Sequence, residues 1–130
     1  MMKNFEANLN IQGSGAVVAA PDHDTPGGNY YYHWMRDGAL SSLVYMQVND
    51  LDYTKVNEVM SAYQGWVANV QSQQEPHDID VRVEPKFEIP SGSPFAGDWC
   101  RPQNDGPGLR ANTLAKWGAI LMKNDKEDQT

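Results

Sequence analysis

Val56, Val59, Met60, Tyr63, Val67 and Val70 recur at the 3, 4 and 7 spacing of a helix with one apolar face. A stripe this regular has to be covered by another element, so it commits the middle of the chain to helix-on-helix packing. Asp52 or Thr54 can open the helix, and the pattern runs to about Gln74, short of Pro76. Upstream, Asp37 can cap a helix carrying Leu40, Leu43, Val44 and Val48 on one stripe, closed by Asn49 and Asp50. So short a link predicts that the two helices lie antiparallel. A third helix is expected from Asp105-Gly106-Pro107, with Leu114, Trp117, Gly118, Leu121 and Met122 as its apolar stripe. Beyond Asn124 the chain is polar and should fray. The fold class is all-α.

Between the helices the sequence is of a different kind. Residues 1–15 are polar and end in a Gly13-Ser14-Gly15 turn signal. Ala16-Val17-Val18-Ala19-Ala20, stopped by Pro21, reads as a buried extended segment. Residues 22–28 are a loop by composition, and adjacent Asp22, His23 and Asp24 do not make a metal site. Residues 75–108 are rich in Pro, Gly and acids, yet hold Phe87, Phe95 and Trp99. That is too much aromatic surface for a linker, and long loops within a domain are commonly functional.

Charge and cysteine usage narrow the partners. A formal net charge of −7, with ten basic residues scattered and no run among them, argues against a nucleic-acid surface. Cys100 is the single cysteine, so no intrachain disulfide is expected. No apolar run approaches the roughly 20 residues that a bilayer span needs, and Met1-Met2-Lys3-Asn4-Phe5 does not lead into the apolar core of a signal peptide. The chain reads as soluble.

Asn29-Tyr30-Tyr31-Tyr32-His33-Trp34-Met35-Arg36-Asp37-Gly38 is the stretch most suggestive of chemistry. Aromatic faces stack on the apolar faces of a pyranose, and Arg and Asp fix hydroxyls through charge-assisted hydrogen bonds. The plainer alternative is a core strand ending in an ion pair. Downstream come Glu84-Pro85-Lys86-Phe87 and Gly97-Asp98-Trp99-Cys100-Arg101-Pro102-Gln103-Asn104-Asp105-Gly106-Pro107-Gly108-Leu109-Arg110-Ala111. Together the three stretches closely resemble the fungal-type glucoamylases of glycoside hydrolase family 15, in order and with the helical pair between them. The resemblance covers about residues 11–123.

That resemblance implies part of an (α/α)6 barrel and hydrolysis of α-1,4 bonds at the non-reducing ends of starch- or glycogen-like glucans, with release of β-glucose and no cofactor. It implies that Arg36 and Asp37 hydrogen-bond the terminal glucose, that Tyr30 lies beside the scissile bond, and that Trp34 and Trp99 line neighbouring subsites. By the same likeness Arg101, Asp105 and Arg110 arrange the loop through ion pairs and caps. Tyr31 and Tyr32, alternating with Tyr30, and Trp66 and Trp117, within helices, are expected in the core. Cys100 stands where the fungal enzymes usually have Gly, and Gly38 where Ser is common.

An inverting glycosidase needs a general acid and a general base roughly 6.5–9.5 Å apart. In the family both lie far downstream of the matched stretches, so they are expected beyond Thr130. Glu75, Glu84 and Glu88 match neither. Three helices cannot close an (α/α)6 barrel, and residues 1–130 are therefore expected to be the N-terminal portion of a single catalytic domain, neither stable nor active alone. The competing reading is a non-catalytic glucan binder or regulatory relative; trehalose- or isomaltosyl-type hydrolysis is a third. Family members imply a secreted or vacuolar/lysosomal setting.

Overall fold

The computed structural model describes residues 2–24 and 29–128. The loop predicted over 22–28 and the tail to Thr130 thus lie partly outside the described residues. Four α-helices and one short strand pair are described: α1 (Met2–Glu6), β1 (His33–Trp34), α2 (Met35–Val48), α3 (Tyr53–Gln71), β2 (Lys86–Phe87) and α4 (Asp105–Asp128).

The predicted stripe of α3 is the centre of the fold. Asp52 caps it, its Oδ1 accepting from the Lys55 N–H at 3.1 Å. Val56, Met60, Tyr63, Val67 and Val70 are buried, and Trp66 joins them in the core as expected. The helix ends at Gln71 rather than near Gln74. There the Asn69 carbonyl accepts from the Ser72 N–H and Oγ, and Gln73 Nε2 donates to Asn69 Oδ1, so the last turn closes on side chains.

Helix α2 corrects the sequence reading. It begins at Met35, with Trp34 in the N-cap position and no side-chain cap; Asp37 lies within the first turn, where its charge suits the helix dipole. The stripe of Leu40, Val44 and Val48 is 41–51 % exposed, and Leu43 is only partly buried. The buried face holds Met35, Gly38, Ala39, Ser42, Tyr45 and Met46. Small residues won because α4 approaches closely. Thr113 Oγ1 donates to the Ala39 carbonyl at 2.9 Å, and a Cβ on Gly106 would come 2.9 Å from Met35 Sδ. Helix α2 accordingly packs chiefly on α4 and only lightly on α3, its neighbour in sequence.

Helix α4 runs unbroken through the tail expected to fray, as far as Asp128. It buries Gly106, Arg110, Thr113 and Trp117, whereas Met122 is exposed. Trp117 is core, as expected: it stacks on Tyr53 and its Nε1 donates to Gln64 Oε1 at 3.0 Å.

The first fifteen residues also hold more than a loop. Helix α1 is tied down by a Glu6–Lys55 ion pair at 2.6 Å, and Phe5 packs on the core. Gly15, at φ +83°, passes against α3 so tightly that a Cβ would sit 1.9 Å from the Ala62 carbonyl oxygen. The extended segment then follows, with Ala16, Val17 and Val18 buried and the Ala19 and Ala20 N–H groups donating to the Tyr32 and Tyr30 carbonyls.

Candidate functional site: an aromatic wall and an Arg–Asp pair

Strand register sorts the aromatic stretch into two faces. His33 pairs with Phe87 and Trp34 with Lys86, antiparallel. Alternation along a strand then separates His33 and Phe87, which are buried in the core, from Trp34 and Lys86 on the other face. Tyr30 and Tyr32, four and two residues before Trp34, join that second face, each with its ring centroid 5.8 Å from Trp34.

The 72–104 segment supplies the rest of the wall. Its regular parts are a 3-10 turn over Val81–Val83, begun by Asp80 accepting from the Arg82 N–H, and strand β2. The Phe95 N–H bonds the Lys86 carbonyl at 3.0 Å, bringing the Phe95 ring to 5.3 Å from Tyr32, and Trp99 reaches 6.1 Å from Trp34. Tyr30 and Trp99 are 37 % and 38 % exposed, while Trp34 between them is 5 % exposed. The arrangement is two open rings over a buried one.

Lys86 stands at the middle, a residue the sequence reading passed over. Its Nζ lies 3.8 Å from the Phe95 centroid, 4.2 Å from Tyr32, 4.7 Å from Trp99 and 5.1 Å from Trp34. A cation shared by four ring faces links three separate stretches of chain. Burial among the rings pulls its pKa down, with Glu88 and Glu84 opposing and Arg101 adding to the fall. The signal available in the sequence was a Lys flanked by Pro85 and Phe87, but only the fold collects the rings.

Behind the wall, Arg101 laces the loop. Its Nε donates to Glu84 Oε2 at 2.7 Å, one terminal nitrogen to the Gly97 carbonyl at 3.0 Å, and the other to Phe95 at 2.6 Å. His77 Nε2–H donates to the same Phe95 carbonyl at 3.1 Å. The expected roles of Arg101, Asp105 and Arg110 as organisers agree with these contacts. Arg110 is buried and donates to the Arg82 carbonyl at 3.0 Å.

Arg36 and Asp37 open α2 directly after Trp34. Arg36 donates to Asp105 Oδ2 at 3.0 Å and lies 3.9 Å from Asp37. Asp105 begins α4, so this contact joins the two helix starts. The hydrogen bond from Arg36 holds the Asp105 carboxyl below its ordinary range, and the reciprocal bond raises Arg36. All three side chains are about half exposed, which leaves guanidinium and carboxylate edges open to a ligand.

Two of the expected core tyrosines behave otherwise. Tyr32 is half-buried and belongs to the wall. Tyr31 is also half-buried, with its hydroxyl accepting from Gln12 Nε2 at 3.2 Å and its ring 4.6 Å from His23. Alternation turned one to each side.

His33 anchors the wall from beneath. Its Nδ1 accepts from the Val17 N–H at 3.1 Å, which fixes a neutral ring with the proton on Nε2. Burial first, then the nearby Arg110 charge, lowers its pKa to about 3. Grooves lined by Met46, Tyr53, Ala119, Ile120 and Met122 run beside α4, and no residue of the wall lines them. Among the described residues no group of acids, histidines or cysteines could hold a metal ion, and no helix is long and apolar enough to cross a membrane.

The sequence profile described as Glycosyl hydrolases family 15 matches residues 2–130. The chain is 33 % identical over 116 residues to the probable glucoamylase of Schizosaccharomyces pombe, covering 87 % of this chain and 25 % of that protein. It is 37 % identical over 131 residues to the glucoamylase of Blastobotrys adeninivorans, covering 95 % and 20 % respectively. The solved Hormoconis resinae glucoamylase superposes with a TM-score of 0.82 at 32 % identity, over 95 % of this chain and 22 % of that one. The Saccharomycopsis fibuligera enzyme gives 0.71 at 33 % identity, over 80 % and 22 %. The chain thus spans about a quarter or less of the length of these relatives. Its helices correspond to part of their (α/α)6 barrel.

Proposed function

This chain belongs to the glycosyl hydrolases of family 15, and we propose that it is the N-terminal portion of the catalytic domain of a glucan 1,4-α-glucosidase. The protein that carries it removes glucose from the non-reducing ends of starch- and glycogen-like glucans, with inversion to β-glucose. The observation that carries this reading is the convergence of two stretches some seventy residues apart. Tyr30 and Trp34 come from one, Trp99 from the other, and the Arg36–Asp105 bond ties the same two stretches together.

In this reading the open faces of Tyr30 and Trp99 stack on pyranose rings, with Trp34 as the floor between them. Arg36, oriented by Asp105, donates to hydroxyls of the terminal glucose, and Asp37 accepts from them. Tyr30 sits beside the scissile bond. The general acid and base are carried beyond Thr130; Glu84, which is fully buried and bound to Arg101, is unsuited to either role. No cofactor is required for an inverting displacement by water.

The test is glucose release from maltotriose by the intact protein, with the product anomer read by NMR before mutarotation. Arg36→Ala and Asp37→Asn should each lower kcat/KM by about 10²-fold or more, the scale of a charged hydrogen-bonding partner lost at a reacting sugar. Retention of near-normal turnover in both variants would remove these residues from the site. Binding of maltotriose without any hydrolysis would identify a non-catalytic glucan binder instead.

A further inference from the structure

We propose that Glu75 and Glu84 share one proton, and that this carboxyl pair acts through Arg101 as a proton-linked latch positioning the Trp99 loop. The functional half of the proposal rests on the reading of the wall as a glucan site; the shared proton does not.

Glu84 is fully buried and accepts twice, at Oε2 from Arg101 Nε at 2.7 Å and at Oε1 from the Lys86 N–H at 3.2 Å. Both of its oxygens are thus already engaged by donors, one of them cationic. Glu75, four residues beyond α3, is brought toward Glu84 through His77 and Arg101, which hold the same Phe95 carbonyl, and Glu84 bears on it by charge and side-chain hydrogen bonding. Glu75 Oε1 accepts from the His77 N–H at 3.1 Å. Its Oε2 is shut off from solvent and meets no donor. Two acceptor-only carboxylates cannot face each other there; one proton between them satisfies both. Because Glu84 is already held by Arg101 and the Lys86 amide, the proton belongs on Glu75, which donates from Oε2 to Glu84.

Burial and then the Glu84 charge raise the pKa of Glu75, against the His77 N–H bond that lowers it. The charged and titratable groups around the pair are His77 beside it in sequence, Arg101 from the Trp99 loop, and Lys86 from β2.

The latch follows from what else Arg101 holds. The guanidinium that binds Glu84 also fixes the Gly97 and Phe95 carbonyls, and His77 holds Phe95 as well. Loss of the Glu75 proton to solvent leaves a second anion beside Glu84 competing for Arg101. The bonds to Gly97 and Phe95 loosen, and the Trp99 ring leaves its place against Trp34. Glu75 is therefore a positioning residue, and it does not touch the sugar.

The intact protein is labelled with [5-13C]glutamate, and the Glu75 carboxyl is titrated alongside Trp99 emission, isolated by difference from the Trp99→Phe form. Glu75 should titrate above the ordinary 4.5, and the Trp99 transition should share its midpoint. Glu75→Gln keeps a donor toward Glu84 that cannot ionise, so the Trp99 transition should vanish in it. In the wild type, KM for maltotriose should rise about tenfold through the same midpoint, the scale of one hydrogen bond lost from the loop. The proposal is overturned if Glu75 ionises at or below 4.5, or if the Trp99 transition persists in Glu75→Gln. Should that variant fail to fold, the wild type decides alone, since separated midpoints refute the latch. A protein that turns over no maltotriose at any pH would overturn the functional reading, while the carboxyl and Trp99 titrations still decide the latch.

Discussion

Gly38→Ala is the smallest change that should do large damage. A Cβ at position 38 would sit 2.3 Å from His33 Cε1 and 2.8 Å from Nε2. Ordinary carbon–carbon contact begins near 3.5 Å, so the ring must move by about 1 Å. It has little room to do so, because Trp66 lies 5.1 Å from it and Phe87 6.4 Å, both fully buried. Overpacking of this kind costs about 1–3 kcal/mol. Displacing the ring also leaves the buried Val17 N–H without its acceptor, for about 1–3 kcal/mol more. Alanine in a helix recovers about 1 kcal/mol over glycine. The net expectation is a loss of about 1–5 kcal/mol from these terms. Urea unfolding of the intact protein measures it, and hydrogen exchange at the Val17 amide localises it: exchange there should accelerate far more than in the middle of α3. In a His33→Ala background the same substitution should become neutral or stabilising. If Gly38→Ala leaves both stability and Val17 protection unchanged, the close approach does not control this junction. The serine that resemblance leads one to expect at this position would meet the same ring.

Acid should weaken the fold through His33. Its folded pKa of about 3 lies below the free value of 6.5, so the unfolded chain takes up the proton first; the contribution is intact above 6.5 and lost as pH falls toward 3. About 2 kcal/mol should be gone by pH 5, and His33→Gln should flatten that limb in urea titrations. Glu75 acts in the opposite sense: its raised pKa gives stability that is full below 4.5 and is lost as pH rises through the raised value, so Glu75→Gln should flatten the alkaline side of a melting profile. Lys86→Ala should cost about 2–4 kcal/mol, since it removes both a buried stem and the cation among four rings, and Lys86→Arg should recover part of the loss in thermal melts. Asp105→Asn should change stability by less than about 1 kcal/mol, because its pair with Arg36 is half exposed, yet raise KM for maltotriose several-fold by freeing Arg36. A melting shift with no change in KM would reverse that assignment.

What was legible in the sequence follows a physical divide. The stripe Val56, Met60, Tyr63, Val67 and Val70 set α3 unaided, because large apolar side chains at helical spacing have one way to leave water. The same rule misplaced the face of α2: it weighted Leu40, Val44 and Val48, while the buried face holds Gly38 against the His33 ring and Ala39 against Thr113 of α4. Periodicity measures size and hydrophobicity, and it is blind to how near a partner helix will come.

The site divides in the same way. Tyr30, Trp34, Arg36, Asp37 and Trp99 could be nominated from residue type and resemblance. Which rings meet, which are open, and that Lys86 stands among them are decided by the His33–Phe87 and Trp34–Lys86 register, a relation between residues more than fifty apart. The Glu75–Glu84 pair is further still from the sequence. Nothing in the local composition marks either carboxyl as special; only the fold takes Glu84 and one oxygen of Glu75 out of water and gives Glu84 the arginine. The chain alone determined its elements and its chemical vocabulary, and tertiary structure determined burial and proximity, because those depend on what the rest of the chain brings near.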